Sequence, residues 1–310
     1  MRVHPVRDAQ RVEALDGDEL AIARSVLYAS LFDYPLTLGQ LRETLLESVQ
    51  TPSQILAAYT RSDALRAAVE YRDGFFFPAG RYRLVEERRR REARSRAFLR
   101  HHRHLLALVC ALPYVRMVAL SGSIAHLNLE GDGDLDLFIV TRGRRVWSVT
   151  VGVVLLAKLM RRRRSVCANF VVADSRLALE PQDLFTASQV VHLKPLVGPD
   201  ALERLVEANP FVGRFYPNFR ATGPSPFLIR RTRFVSRLKA AVERLGALPS
   251  LAVEAVCRRA YSAYLSRQSS TWRSPEQVRL QDDCVKLHTR SHRQSVIDRF
   301  DRAVRDALHT

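Results

Sequence analysis

Residues 115–140 read VRMVALSGSIAHLNLEGDGDLDLFIV. Two β-strand patterns, 115–121 and 135–140, flank a Ser121-Gly122-Ser123 turn, and Ile124-Ala125-His126-Leu127 predicts the first turn of a helix between them. Asp134 and Asp136 open the second strand. Side chains two apart on a strand leave the same face, so both carboxylates aim at one place. Two hard oxygen donors side by side suit Mg²⁺, with Mn²⁺ as a substitute. Gly122 lets the backbone approach a ligand closely, and free N–H groups at a helix start favour phosphate. A phosphate cradle beside a metal-binding carboxylate pair is the minimum equipment for moving a nucleotide.

Other readings of these residues fail on position. Asp132-Gly133-Asp134-Leu135-Asp136 begins like an EF-hand loop, but its sixth position is Leu137 where Gly is required and its twelfth is Gly143 where Glu is required. Ser121-Gly122-Ser123 lacks the outer glycines of a nucleophile elbow, and no Walker-type Gly-Lys-Ser/Thr follows. A plain turn with solvated aspartates remains as the bland alternative, disfavoured because strands seldom carry Asp at both i and i+2 without a use for them.

Gly122-Ser123, ten intervening residues, then Asp134-Leu135-Asp136 between apolar neighbours resembles the DNA polymerase β-like nucleotidyltransferase superfamily, especially its small bacterial members. Cys167-Ala168-Asn169-Phe170, the run 184–196, Asn209-Pro210-Phe211 and Pro217-Asn218 look similar to bacterial nucleotidyltransferase-domain proteins. The resemblance implies that Ser121, Gly122 and Ser123 hold the triphosphate of an NTP and that Asp134 and Asp136 hold two Mg²⁺ ions. It also implies a third carboxylate from a neighbouring strand, where this chain offers Asn169. An amide takes no proton near neutral pH. Three explanations follow: Asp174, or Glu180 near it, supplies the missing group; the acceptor is already an anion and needs no base; or the domain binds nucleotide without turnover.

Working outward, residues 146–160 form an apolar run of fifteen that includes Lys158. A bilayer span needs about 20, so a buried helix is expected, followed by a third strand at 165–172. Strand, helix, strand, helix, strand gives an α/β (α+β) nucleotidyltransferase core with a small mixed sheet over 113–180. A connecting helix occupies 86–112. Its His101 and His104 share a face, but no Cys or carboxylate completes a metal site there, and a solvated basic face is expected for His101, His102 and His104.

The N-terminal residues 1–85 predict helices at 19–33, 37–46 and from Thr51-Pro52, then a hairpin with strands 65–71 and 74–77 around Asp73-Gly74. Three helices and a hairpin look like a winged helix. Its third helix, 52–60, has no Arg or Lys for a DNA groove, so docking against the core is expected ahead of DNA binding. The region 181–310 reads as mostly helical, at 181–193, 200–208, 226–245, 249–267 and 275–308, the last with room for a break. His288 and His292 fall one turn apart on the last of these, surface positions by default and acceptor-pocket residues as the alternative.

The chain of 310 residues carries a net charge of +17, compatible with a nucleotide substrate without identifying one. Only four of its 49 basic residues are Lys, an Arg bias that genome composition explains as well as phosphate binding does. Cys110, Cys167, Cys257 and Cys284 are scattered with no CxxC, which fits a reducing cytoplasm. No signal peptide or membrane partner is expected. The combined expectation is a Mg²⁺-dependent nucleotidyltransferase that moves an NMP from an NTP to an unidentified acceptor, a small molecule ahead of protein or nucleic acid. Arg142, Arg144, Arg145 and Lys194 are candidate triphosphate or acceptor contacts. The alternative is a non-catalytic nucleotide- or DNA-binding regulator.

Overall fold

Three reciprocal caps start the helices of the N-terminal third. Asp16 with Glu19, Thr37 with Gln40 and Thr51 with Gln54 each satisfy two backbone N–H groups, the arrangement that fixes where a helix begins. The computed structural model describes residues 15–131, 133–221, 225–246, 249–288 and 292–308, apart from the side chains of Asn169 and Leu308. The elements of the N-terminal unit are α1 (Gly17–Ser30), β1 (Leu36–Thr37), α2 (Leu38–Glu43), α3 (Pro52–Arg61), α4 (Asp63–Ala68), β2 (Val69–Arg72) and β3 (Phe75–Pro78). β3 lies between β1 and β2, antiparallel to both. Asp73 and Gly74 both have positive φ, the conformation a two-residue hairpin needs. Residues 65–68, read above as strand, are helical because the Ser62 hydroxyl caps α4 at Leu65 N–H.

After α5 (Arg83–Ala111) come β4 (Val115–Leu120), α6 (Gly122–Ala125), β5 (Leu135–Thr141), α7 (Val146–Leu159) and β6 (Val166–Ala173). Then follow α8 (Leu184–Val191), β7 (Lys194–Val197), α9 (Pro199–Glu207), α10 (Phe211–Phe215), α11 (Arg233–Leu245), α12 (Pro249–Arg267), β8 (Val278–Leu280), β9 (Cys284–Leu287) and α13 (Arg293–Leu308). The strands form one mixed sheet in the order β7-β4-β5-β6-β9-β8, in which only β5 and β6 are parallel. The C-terminal region is therefore not merely helical. It adds strands to both edges of the core sheet, and residues 278–287 form a β-hairpin where a helix with a break was expected.

The two faces of β5 divide the core. Leu135, Leu137 and Ile139 pack with Leu106 and Val109 of α5, Val149 and Val153 of α7 and Leu265 of α12. Phe138 and Val140 face the other way, toward α8, α9, α10, α13 and Tyr28 of α1. Asp136 belongs to this second face. α7 is buried on one side and exposes Leu155 and Leu159 on the other, and no described helix is long and apolar enough to cross a membrane. Its first N–H groups, on Trp147 and Ser148, donate to the two oxygens of Glu254 from α12 at 2.8 Å each, so α12 caps α7.

The N-terminal unit docks on the core through the basic run of α5. Arg88 donates to Pro35 O and to Gln40 Oε1 and lies over the Tyr34 ring. Arg91 pairs with Glu87, Asp33 and Glu130. Asn128 Nδ2 donates to Phe32 O at 2.8 Å, and Glu47 N–H to Phe215 O at 2.9 Å. Farther along α5, His101 and His104 are exposed while His102 is buried, with Nδ1 2.9 Å from Phe98 O.

Candidate functional site

Asp136 stands in from the edge of the sheet, and Ser121 N–H donates to its backbone oxygen at 3.0 Å. This bond folds the Ser-Gly-Ser turn back over the strand. Gly122 has φ +61°, and a Cβ there would fall 2.6 Å from Asp136 Oδ2. Glycine is thus favoured twice, for its left-handed backbone and because a larger residue would push on the carboxylate. Burial, and then the neighbouring Asp134, push the Asp136 carboxyl up to about 7. Asp134 is exposed at the approach to the strand.

The register of β5 with β6 shifts by one residue beside this carboxylate: Asp136 pairs with Cys167, whereas Phe138 pairs with Phe170. A bulge of this kind bends a strand and re-aims its side chains. Asn169 sits in the bulge, at the strand position the expected third group would take; its side chain lies outside the described residues. Lys194 pairs with Leu120 across β4 and β7, which brings it to the Ser121 end of the sheet.

Asp174 and the arginines are elsewhere. Because β5 and β6 are parallel, Asp174 follows Ala173, the partner of Thr141, at the opposite end from Asp136. There it accepts from Gly143 N–H at 2.8 Å and lies 3.7 Å from Arg116. It cannot swing in as a third ligand. Arg142 pairs with Glu243, and Arg145 donates to Ser250 Oγ at 2.9 Å over the Tyr114 ring. These two, with Arg144 between them, follow the far end of β5, so the structure does not bring them together with Asp136 and the Ser121 turn. Glu180 pairs with Arg279. Nearness along the strand to Asp136 and Asn169 is not nearness in space, since five residues of extended strand cover roughly 17 Å.

Above Asp136 opens a cavity of ≈ 590 Å³. Ser121, Gly122, Ser123, Asp136 and Phe138 form its floor, α1 and the segment after it one wall, α8 another, and His288 and His292 line it as well. His292 is exposed, as expected, and His288 is half-buried; His288 follows β9 and His292 precedes α13. The His126 and His192 rings lie 4.0 Å apart between centroids. His192 Nδ1 is 2.7 Å from Ser188 O. A carbonyl can only accept, so Nδ1 carries the proton and Nε2 keeps its lone pair. Burial holds His126 well below the usual imidazole range and takes His192 and His288 to about 4. Burial also lowers Lys194.

Two carboxylates suit a cation that takes its remaining oxygens from substrate and water, as Mg²⁺ does. Burial first, and the charge of Asp134 second, account for the upward displacement of Asp136. Among the described residues no group of three His, Cys, Asp or Glu side chains gathers to hold a metal. No protein-family model, curated protein or solved structure matches the chain.

Proposed function

We propose that the chain is a Mg²⁺-dependent nucleotidyltransferase that moves an NMP from an NTP to a small-molecule acceptor and releases pyrophosphate. The observation that carries this reading is the meeting of Gly122 with Asp136: a left-handed turn that favours glycine, laid against a half-buried carboxylate under an open cavity. On this reading residues 113–180 are a nucleotidyltransferase core, 1–85 a winged-helix-like unit, 86–112 the connecting helix, and 181–310 a C-terminal region that completes the sheet. Ser121, Gly122 and Ser123 bind the phosphates through backbone N–H and hydroxyl groups, and Lys194 is placed to support them. Asp134 and Asp136 would hold Mg²⁺, which when bound offsets charge on the phosphates and the leaving pyrophosphate. The walls of the cavity orient the acceptor and exclude water, and positioning supplies much of the rate in such transfers.

The test is incubation with each α-labelled NTP, Mg²⁺ and a metabolite extract. Pyrophosphate release that Asp136→Asn and Asp134→Ala both abolish is the expected result. Nucleotide binding with no release under any condition, together with a salt-sensitive DNA shift, would make the chain a non-catalytic regulator instead.

A further inference from the structure

α11 and α12 form an outer layer on the face of the sheet away from the cavity. α11 rests on the end of α5, where Lys239 Nζ donates to Leu112 O at 2.6 Å. α12 lies along α7 and sends Leu265 into the core beneath. Val235, Lys239 and Glu243 are spaced four apart on the half-buried side of α11. Its other side carries Phe234, Leu238, Val242 and Leu245, exposed by 73%, 54%, 43% and 85%. At spacings of four, four and three these fall on one stripe of the helix. Single exposed apolar side chains are ordinary on a protein surface, whereas a continuous row of them marks a contact site.

The charge around this stripe is of one sign. Arg233, Arg237 and Arg244 follow the helical spacing along one edge of it, all exposed. None of the three has a carboxylate partner among the described residues. The two helices hold only two acidic residues, and both turn inward. Glu243 accepts from Tyr114 N–H at 2.7 Å and pairs with Lys239 at 2.9 Å. Glu254 is taken up in capping α7. On α12, Leu251, Val253 and Val256 are exposed as well. This layer therefore offers apolar contact and positive charge with no outward carboxylate, a distribution that an overall arginine bias does not by itself produce.

We infer that α11 anchors the protein to the surface of a bilayer rich in anionic lipid. Phe234, Leu238, Val242 and Leu245 enter the boundary between headgroups and acyl chains, and Arg233, Arg237 and Arg244 meet the lipid phosphates. A helix held in this way lies in the plane of the interface, so no spanning helix is needed. A second copy seated twofold on the stripe would bring the arginines no carboxylate from either helix, so the charge favours lipid as the occupant. The cavity over Asp136 lies on the other face of the sheet, away from the bilayer. The anchoring stands independently of the nucleotidyl-transfer reading.

The probes are vesicles of phosphatidylcholine alone and of phosphatidylcholine with about 30% phosphatidylglycerol, and binding of the full chain is read by flotation. The anionic vesicles are expected to bind at least about tenfold more tightly than the neutral ones. Phe234→Ser with Leu238→Ser should weaken that binding by about tenfold, and Arg237→Gln with Arg244→Gln by about twentyfold. All four side chains are exposed, so the circular dichroism spectrum should be unchanged. Arg302→Gln with Arg305→Gln removes the same charge from the exposed side of α13 and should alter binding by less than about twofold. Equal binding to both vesicles, or none to either, overturns the inference. So does binding that the serine variant leaves unaltered, or a loss in the α13 variant as large as that in the α11 arginine variant, which would reduce the effect to net charge. A dimer in sedimentation velocity that the serine variant dissolves, without flotation of the wild type, would give the face to a second copy and overturn the inference as well.

Discussion

A Cβ on Gly122 would lie 2.6 Å from Asp136 Oδ2, so a side chain at position 122 forces the carboxylate to move. Gly122→Ala should lose about 1–3 kcal/mol of stability from its positive φ and, by displacing the carboxylate, lose Mg²⁺ binding measured by calorimetry. Gly143→Ala is the control. It has a similar φ of +59° but nothing within 4 Å of the new Cβ, so it should cost a comparable amount of stability and leave Mg²⁺ binding unchanged.

Asp136 should make the protein less stable as pH rises. Its folded value, about 7 against an ordinary 3.8, means that the folded state holds a proton the unfolded state has released between those limits. Stability is therefore lost from about pH 4 up to about pH 7, by at most roughly 4 kcal/mol. Asp136→Asn should raise the Tm at pH 8 and flatten this slope while abolishing transfer. Mg²⁺ should raise the Tm of the wild-type protein at pH 8 and not that of the variant; equal Mg²⁺ responses would remove Asp136 from the metal site.

Glu254 caps a helix that is not its own. Glu254→Ala leaves the Trp147 and Ser148 N–H groups without their acceptor and should cost about 1–3 kcal/mol in a denaturant titration. Glu254→Gln keeps one acceptor oxygen and should recover part of that loss.

Gly198 begins α9 with φ +68°, and a Cβ there would sit 2.0 Å from Arg116 O on β4. A backbone atom cannot step aside as a flexible side chain can. Gly198→Ala should destabilise by roughly 3 kcal/mol, visible as a fall in Tm, and should disturb the β4–β7 pairing that brings Lys194 beside Ser121.

What could be read from the sequence was what neighbouring residues decide. The caps at Thr37 and Thr51, the Asp73-Gly74 turn and the strand–turn–strand run at 115–140 all depend on side chains within a few positions, and they lie close to where they were expected. The missed strands β7, β8 and β9 are three or four residues long. Their identity comes from partners far off in sequence, such as Phe170 for Lys286, so local pattern favoured helix. The site divides in the same way. Asp134, Asp136 and Gly122 were legible because their spacing is local, and His126 lay within the same stretch without drawing notice. Tyr28, Ser188 and His192 reach the cavity only through packing, and nothing in their own neighbourhoods marks them. Arg142 and Asp174 failed for the converse reason, since adjacency along a strand is separation in space.

Tyr28 near one end of the chain, Asp136 in its middle and His292 near the other end line one cavity. Whatever fills that space is therefore also a tether between segments that the backbone joins only at long range. Its binding free energy adds to the cohesion of the whole molecule by mass action. Removing the N-terminal unit would then take away one side of that cavity and the cohesion its occupant supplies.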